Sequence, residues 1–202
     1  MRPGGHLATA VALSGAGYTA TGSVELAAGC FTGAFLIDGD HYLDYLTVEA
    51  QWRRPSPTTF LRYYFTHRYQ RAVLPLHSLE LMGILGLLAW AWPRPALLGY
   101  LLGALLHIVL DILVNGEHTL RRPLLFYTLA YRASQGFSAT RLIAPLVIPP
   151  EVGQAPVREF FTWRPQSDDS GILQEGIWLA ERCPKGRGPR RGTRHGERVG
   201  GP

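Results

Sequence analysis

Residues 77–111 read HSLELMGILGLLAWAWPRPALLGYLLGALLHIVLD, with two apolar runs on either side of a Pro-Arg-Pro turn at residues 93–95. Proline clashes with the preceding turn of a helix and moves the residue before it out of the helical region. Each run has the length and composition of a helix. The stretch therefore predicts a central helical hairpin with arms at residues 73–92 and 96–114.

Two polar pairs interrupt the apolar arms at similar distances from the turn. His77 and Glu80 lie in the first arm, and His107 and Asp111 lie in the second. Residues three or four apart share one face of a helix, and equal distances from the turn of a hairpin mean equal heights. The pattern predicts that His77, His107 and Asp111 share a metal or acid–base site. Glu80 either joins this site or orients His77, and the alternative is a pair of hydrogen-bonded core histidines.

The remaining sequence predicts a mainly α fold, a membrane-associated helical bundle built around this hairpin. Apolar runs at residues 7–20 and 24–37 precede the hairpin, residues 123–137 read as an amphipathic helix, and no periodic series of strands occurs. Small residues spaced four apart allow two helices to approach closely. They occur here in two pairs, Gly29 with Gly33 and Gly99 with Gly103.

Composition divides the chain into three parts. Residues 1–150 form the predicted helical domain that holds the site, and the prolines and glycines of residues 151–180 indicate an irregular surface segment. Residues 181–202 concentrate the basic side chains of a chain with net charge +5, and they contain too few apolar residues to fold. We expect this C-terminal region to be partly disordered. The tail could contact anionic lipid or, weakly, nucleic acid, although such tails are more often simply solvated.

Other site classes find no support in the sequence. Cys30 and Cys183 lie far apart in unlike contexts, which argues against a disulfide framework or a cysteine-based zinc site. The chain contains no G-x-S-x-G, H-E-x-x-H or phosphate-binding glycine loop.

The hairpin is a marginal transmembrane pair, because only residues 81–92 and 96–106 lack a strongly polar side chain. Arginines are more frequent at its open end than at its turn, where Arg94 stands alone. The positive-inside rule then predicts insertion into the inner (plasma) membrane with the polar site towards the cytoplasm. A soluble all-α domain with two buried helices is the alternative.

Four motifs occur in a characteristic order: Gly5-His6, Asp38-Gly39-Asp40-His41, His67-Arg68 followed by His77-Ser78, and His107-x-x-x-Asp111. In this order they resemble the membrane-bound metal-dependent hydrolases related to the LexA-binding inner-membrane-associated hydrolase. The resemblance covers residues 5–115, and the chain departs from the family by an insertion between His67 and His77. It implies eight metal ligands: His6, Asp38, Asp40, His41, His67, His77, His107 and Asp111.

The resemblance implies a metal-dependent hydrolase at a lipid bilayer, acting on an unidentified small-molecule or lipid-like substrate such as a phosphoester. Imidazole and carboxylate ligands suit one or two divalent transition-metal ions, zinc before manganese or iron. We assign the catalytic roles to Asp40 and Glu80. The alternative function is a non-enzymatic membrane scaffold or a metal-binding interaction protein.

Overall fold

The computed structural model describes residues 3–65 and 68–144. His67, the segment 151–180 and the basic tail 181–202 therefore lie outside the described residues.

Helices make up the regular structure of the described part of the chain. They are α1 (Pro3–Thr21), α2 (Val24–Phe35), α3 (Gly39–Thr47), α4 (Pro57–Phe65), α5 (Leu79–Ala91), α6 (Pro95–Thr119), α7 (Pro123–Phe126), α8 (Leu129–Ser134) and α9 (Ala139–Leu142). Short 3-10 turns occupy Leu36–Asp38 and Pro75–His77. Two isolated bridges join Arg71 to Ser138 and Leu120 to Ile143, and the described residues form no strand. The prediction of a mainly α fold is confirmed.

The first two helices form a hairpin of their own. Gly22, with φ of +67°, makes the turn, and the Ser23 hydroxyl caps α2 by accepting a hydrogen bond from the backbone N–H of Leu26 at 3.1 Å. A side-chain oxygen at this position satisfies an N–H that has no partner inside the helix. The predicted helical runs at residues 7–20 and 24–37 correspond to α1 and α2.

The helices α2 and α6 run parallel and touch along their backbones. A Cβ atom added at Gly33 would collide with the carbonyl oxygen of Tyr100, and one added at Gly103 would collide with that of Cys30. Gly29 and Gly99 occupy equivalent positions one helical turn earlier. Each small-xxx-small pattern predicts close helix packing, and the structure shows that the two patterns face each other across a single interface.

The central hairpin forms, but its first arm is shorter than predicted. Helix α5 ends at Ala91 and α6 begins at Pro95, so the Pro-Arg-Pro turn is confirmed. At its other end α5 begins only at Leu79, where the Ser78 hydroxyl accepts the N–H of Leu81 at 3.2 Å. Leu74 has a left-handed backbone, with φ of +47°, and Pro75 opens a separate 3-10 turn. The prediction that His77 and Glu80 share a helix face is therefore wrong, because His77 precedes the helix.

The amphipathic helix predicted for residues 123–137 is divided into α7 and α8. The Glu80 carboxylate accepts the backbone N–H groups of Leu129 and Ala130 at 2.8 and 3.0 Å, so it satisfies the first turn of α8. An acidic group at this position also interacts favourably with the helix dipole. A separate helix consequently starts after Thr128.

One helix in the described part of the chain is long and apolar enough to cross a membrane: α6, over Pro95–Val114. Helix α5 is apolar but only 13 residues long, so the predicted pair of spanning arms reduces to one helix of sufficient length. Large apolar side chains nevertheless point outward from both helices, among them Leu87, Trp90 and Leu113. Exposed apolar surface of this extent is typical of an interaction surface.

The contact between α2 and α6 makes a direct prediction. Gly33→Ala should lower the free energy of unfolding in detergent by about 1–3 kcal/mol, because the added methyl group forces two backbones apart. Gly83→Ala is the matched control, since a Cβ atom at Gly83 meets nothing within 4 Å. Alanine there should be neutral or stabilising, because it improves helix propensity. Equal thermal stability of the two variants would contradict the proposed packing.

Candidate metal centre

Seven of the eight predicted ligands lie in one cluster where α1, α3 and α6 meet the two 3-10 turns. Each comes from a polar position at the end or on one face of an otherwise apolar element, and most are buried. The members of the cluster are His6, Asp38, Asp40, His41, His77, His107 and Asp111.

His77 and His107 face each other through their Nε2 atoms, which are 3.2 Å apart. The Nδ1 atom of His77 lies 3.0 Å from both oxygens of Asp40, and the Nδ1 atom of His107 lies 2.8 Å from the carbonyl oxygen of Ala34. A carboxylate and a carbonyl can only accept, so both Nδ1 atoms carry hydrogen and donate. In the neutral rings both Nε2 lone pairs then point at one another. A proton or a cation between them is required to offset this repulsion.

His6, His107 and Asp111 form the first possible ligand group. Asp111 places Oδ1 3.2 Å from Nε2 of His6 and Oδ2 3.3 Å from Nε2 of His107. The two imidazole rings stack with centroids 4.0 Å apart. One ligand atom from each residue lies within 4.8 Å of the others, and since ligands about 2 Å from a shared ion are at most about 4 Å apart, binding would need only a small inward shift.

Asp38, His41 and His77 form the second possible ligand group and meet the same distance criterion. The Oδ1 atom of Asp38 lies 3.5 Å from Nε2 of His77 and 3.7 Å from Nε2 of His41. The same oxygen lies 3.4 Å from Nε2 of His107, which belongs to the first group. The two groups are therefore adjacent, and together they offer ligands for one ion or for two neighbouring ions.

Asp40 is fully buried and holds His77 in place. Besides contacting Nδ1 of His77, its Oδ2 atom accepts the backbone N–H groups of Leu76 and His77 at 3.0 and 3.3 Å. Burial acts to raise the pKa of the Asp40 carboxyl, but the hydrogen bond with His77 and the charges of His77 and His41 together outweigh burial and lower the pKa. With its oxygens committed to these donors, Asp40 has the geometry of a group that orients a ligand.

The pKa of His77 follows from the same surroundings. Burial opposes the charged imidazolium, yet hydrogen bonds to Asp38 and Asp40 raise the pKa of His77 to about 9. The metal-free cluster consequently holds a proton between Nε2 of His77 and Nε2 of His107 at neutral pH. A metal ion that uses the Nε2 lone pair has to displace that proton.

The structure places two carboxylates near the cluster in supporting positions. Glu80, predicted to be catalytic, is bonded to the first turn of α8. Asp44 accepts the N–H groups of Val73 and Leu74 at 2.7 and 3.1 Å, and so stabilises the left-handed backbone at Leu74. Asp44 thus supports the segment that presents His77, whereas Glu80 anchors the start of α8 and belongs to neither ligand group.

Sequence reasoning missed two residues beside the cluster. Arg132 on α8 is fully buried, and its Nη2 donates to the carbonyl oxygen of His77 at 3.4 Å. The hydroxyl of Tyr64 on α4 lies 3.5 Å from Nε2 of His41. Arg132 gave no signal, because a lone arginine on an amphipathic helix normally faces solvent. Tyr64 belongs to an aromatic and basic stretch that could have marked it, but nothing in the sequence pairs it with His41.

Comparisons with family profiles, characterised proteins and solved structures find no match to this chain. The family resemblance therefore stays a prediction from four motifs. The convergence of His77, His107 and Asp111 is independent of it, since the structure gives these contacts directly.

Proposed function

We propose that this protein is a membrane-bound hydrolase that depends on a divalent transition metal, zinc before manganese or iron. The observation that carries the proposal is the pair of Nε2 atoms of His77 and His107, 3.2 Å apart with both Nδ1 atoms engaged elsewhere. Two nitrogen ligands of one tetrahedral ion, each about 2.0–2.1 Å from it, stand about 3.4 Å apart. The observed spacing fits that arrangement.

Different residues of the cluster would have different roles at such a site. Asp40 and the Ala34 carbonyl fix the rings of His77 and His107, so that the basic nitrogens point inward. Asp111 lies between His6 and His107 and supplies negative charge to balance a cation. A bound divalent ion acts as a Lewis acid and makes hydroxide available near neutral pH. Together these features support hydrolysis of an ester or phosphoester by water.

The membrane part of the proposal rests on α6 and on the distribution of arginines. His107 follows Pro95 by twelve positions, so it lies about 18 Å along α6 from the turn at 1.5 Å per residue. Within the apolar segment Pro95–Val114, His107 is only seven positions from Val114, so the cluster lies nearer the open end of that segment than the turn. Arg121 and Arg122 follow this open end, whereas Arg94 lies at the turn. We therefore place the cluster towards the cytoplasmic face of the inner membrane.

Metal content provides the first test of the function. The wild-type protein, purified in mild detergent, should contain one or two transition-metal ions per chain by elemental analysis. Asp111→Asn should deplete the metal, and Asp40→Asn should weaken binding by about 10- to 100-fold. The double variant should be little worse than Asp111→Asn alone, because groups that hold one ion are not additive.

Glu80→Gln is the matched control for these variants, because its carboxylate is bonded to α8. It should keep the wild-type metal content. Full metal in Asp111→Asn would overturn the assignment of the cluster. Stoichiometric metal without hydrolysis of any phosphoester or carboxylic ester would instead favour the metal-binding scaffold.

The proton on His77 predicts a pH dependence of metal binding. Because this proton is held up to a pH of about 9, metal affinity should rise as the pH rises from 6 to 9. Conversely, the raised pKa stabilises the metal-free fold below pH 6.5, and this stabilisation is lost as the pH rises through about 9. Calorimetric titration in two buffers of different ionisation enthalpy should reveal proton release. Affinity independent of pH would contradict displacement of this proton.

Cysteine labelling in intact cells tests the orientation. A cysteine at Arg94 should react with a membrane-impermeant maleimide added outside, whereas a cysteine at Arg122 should react only after permeabilisation. Both variants replace one exposed arginine, so each serves as the control of the other. Identical labelling of the two positions in intact cells would exclude the proposed topology.

A further inference from the structure

A cavity of about 190 Å³ opens directly onto the cluster of predicted metal ligands. His41, His77 and Asp111 line one end of it, so a molecule in the cavity can bring a polar group to these residues. The remaining wall is dominated by aromatic side chains from α4, α7 and the segment between α4 and α5. These include Phe60, Tyr63, Tyr64, Tyr69, Phe126 and Tyr127.

The aromatic wall is held in place by its own contacts. The ring of Phe60 packs edge-on against Tyr42 with centroids 5.2 Å apart, and the ring of Tyr45 lies 5.5 Å from it. The Tyr63 hydroxyl donates to Glu49 at 2.7 Å, and the Tyr45 hydroxyl donates to the carbonyl oxygen of Arg54 at 2.7 Å. Aromatic pairs at such distances prefer defined geometries. The cavity is thus preformed.

Two of the carboxylates that line the cavity, Glu49 and Asp44, already accept hydrogen bonds from the protein. Glu49 accepts the N–H groups of Gln70 and Arg71, each at 2.8 Å, in addition to the Tyr63 hydroxyl. Asp44 accepts those of Val73 and Leu74. Neither carboxylate is therefore available to bind a cationic occupant. The apolar rings are the surface that an occupant would contact.

The size of the cavity limits its occupant. An apolar protein cavity of roughly 150 Å³ binds benzene, so about 190 Å³ accommodates one aromatic ring with a small substituent. A rigid ring also loses less conformational freedom on binding than a flexible chain of the same carbon number. Aromatic walls add favourable ring-to-ring contacts.

We propose that this cavity binds the aromatic ring of an aryl ester or aryl phosphoester, with the hydrolysed group over His41, His77 and Asp111. This inference rests on the proposed hydrolase function, which it extends to a substrate class. The wall selects the ring, and the cluster receives the polar group.

Three phosphonates separate the contribution of the aromatic ring to binding from that of an alkyl chain and of the head group. All three carry the same head group, and none is hydrolysed. Binding of phenylphosphonate, hexylphosphonate and methylphosphonate is measured by calorimetry on the purified protein in one detergent. Phenylphosphonate should bind at least about tenfold more tightly than methylphosphonate, because the ring is removed from water. It should also bind more tightly than hexylphosphonate, which has the same number of carbons in a flexible chain. Equal or tighter binding of hexylphosphonate would assign the cavity to an acyl chain and overturn the proposal.

Two variants and a control show whether the ring binds in this cavity. Ile143→Trp places a bulky side chain in the lining and Phe60→Ala removes part of the wall, so each should abolish the advantage of the phenyl group. Leu113→Trp adds the same indole at a site that is 72 % exposed on α6 and should leave the advantage unchanged. An advantage that survives in both Ile143→Trp and Phe60→Ala would overturn the proposal.

Metal content is measured on the same samples and keeps the two proposals apart. If a cavity variant loses the preference for the phenyl group but keeps the wild-type metal content, the ring binds in the cavity. The proposed hydrolase function is then unaffected. A wild-type protein without metal or hydrolysis would refute the proposed function, and its relative affinity for the three phosphonates would still decide what the cavity binds.

Discussion

The structure depends on the direct backbone contact between α2 and α6. Four glycines remove the side chains that would otherwise separate these helices, and the carbonyl oxygen of Ala34 can then reach Nδ1 of His107 at 2.8 Å. The close approach thus fixes the ring of a buried histidine whose other nitrogen faces His77. Packing and site geometry have the same cause. Bulkier residues at the glycines would displace α6, and with it two residues of the cluster.

A second requirement is electrostatic. Asp38, Asp40 and Asp111 lie close together, and two of these carboxylates are almost completely buried. Isolated buried charges are strongly unfavourable, so the cluster needs positive charge nearby. Protonated imidazole meets this need when no metal is present, and a divalent cation would meet it more fully. Asp40 is bound to two backbone N–H groups as well as to His77, which explains its orienting position.

Much of this arrangement could be predicted from the sequence. Proline placement predicts the turn of the hairpin, glycine spacing predicts two close-packing helix faces without pairing them, and the four short motifs contain the seven described members of the cluster. The errors arose where tertiary contacts override local pattern. The apolar run predicts a helix through His77. In the structure, Pro75 and the Ser78 cap make α5 begin two residues after His77. Glu80 has the right spacing for a ligand, but its carboxylate is bonded to α8, a partner distant in sequence. The aromatic cavity combines several elements, so no single stretch of sequence could reveal it.

The span of the cluster along the chain has a consequence for how the protein matures. The contact between His6 and Asp111 joins residues more than a hundred positions apart. Closing a loop of this length carries an entropic cost that grows with the logarithm of its length, and contacts within the hairpins have to offset it first. During synthesis, the four cluster residues up to His41 therefore emerge well before His107 and Asp111, and they have no α6 to bind until it has been made. The cluster is therefore complete only in the assembled bundle, and under the proposed function it could bind a metal ion only at that stage.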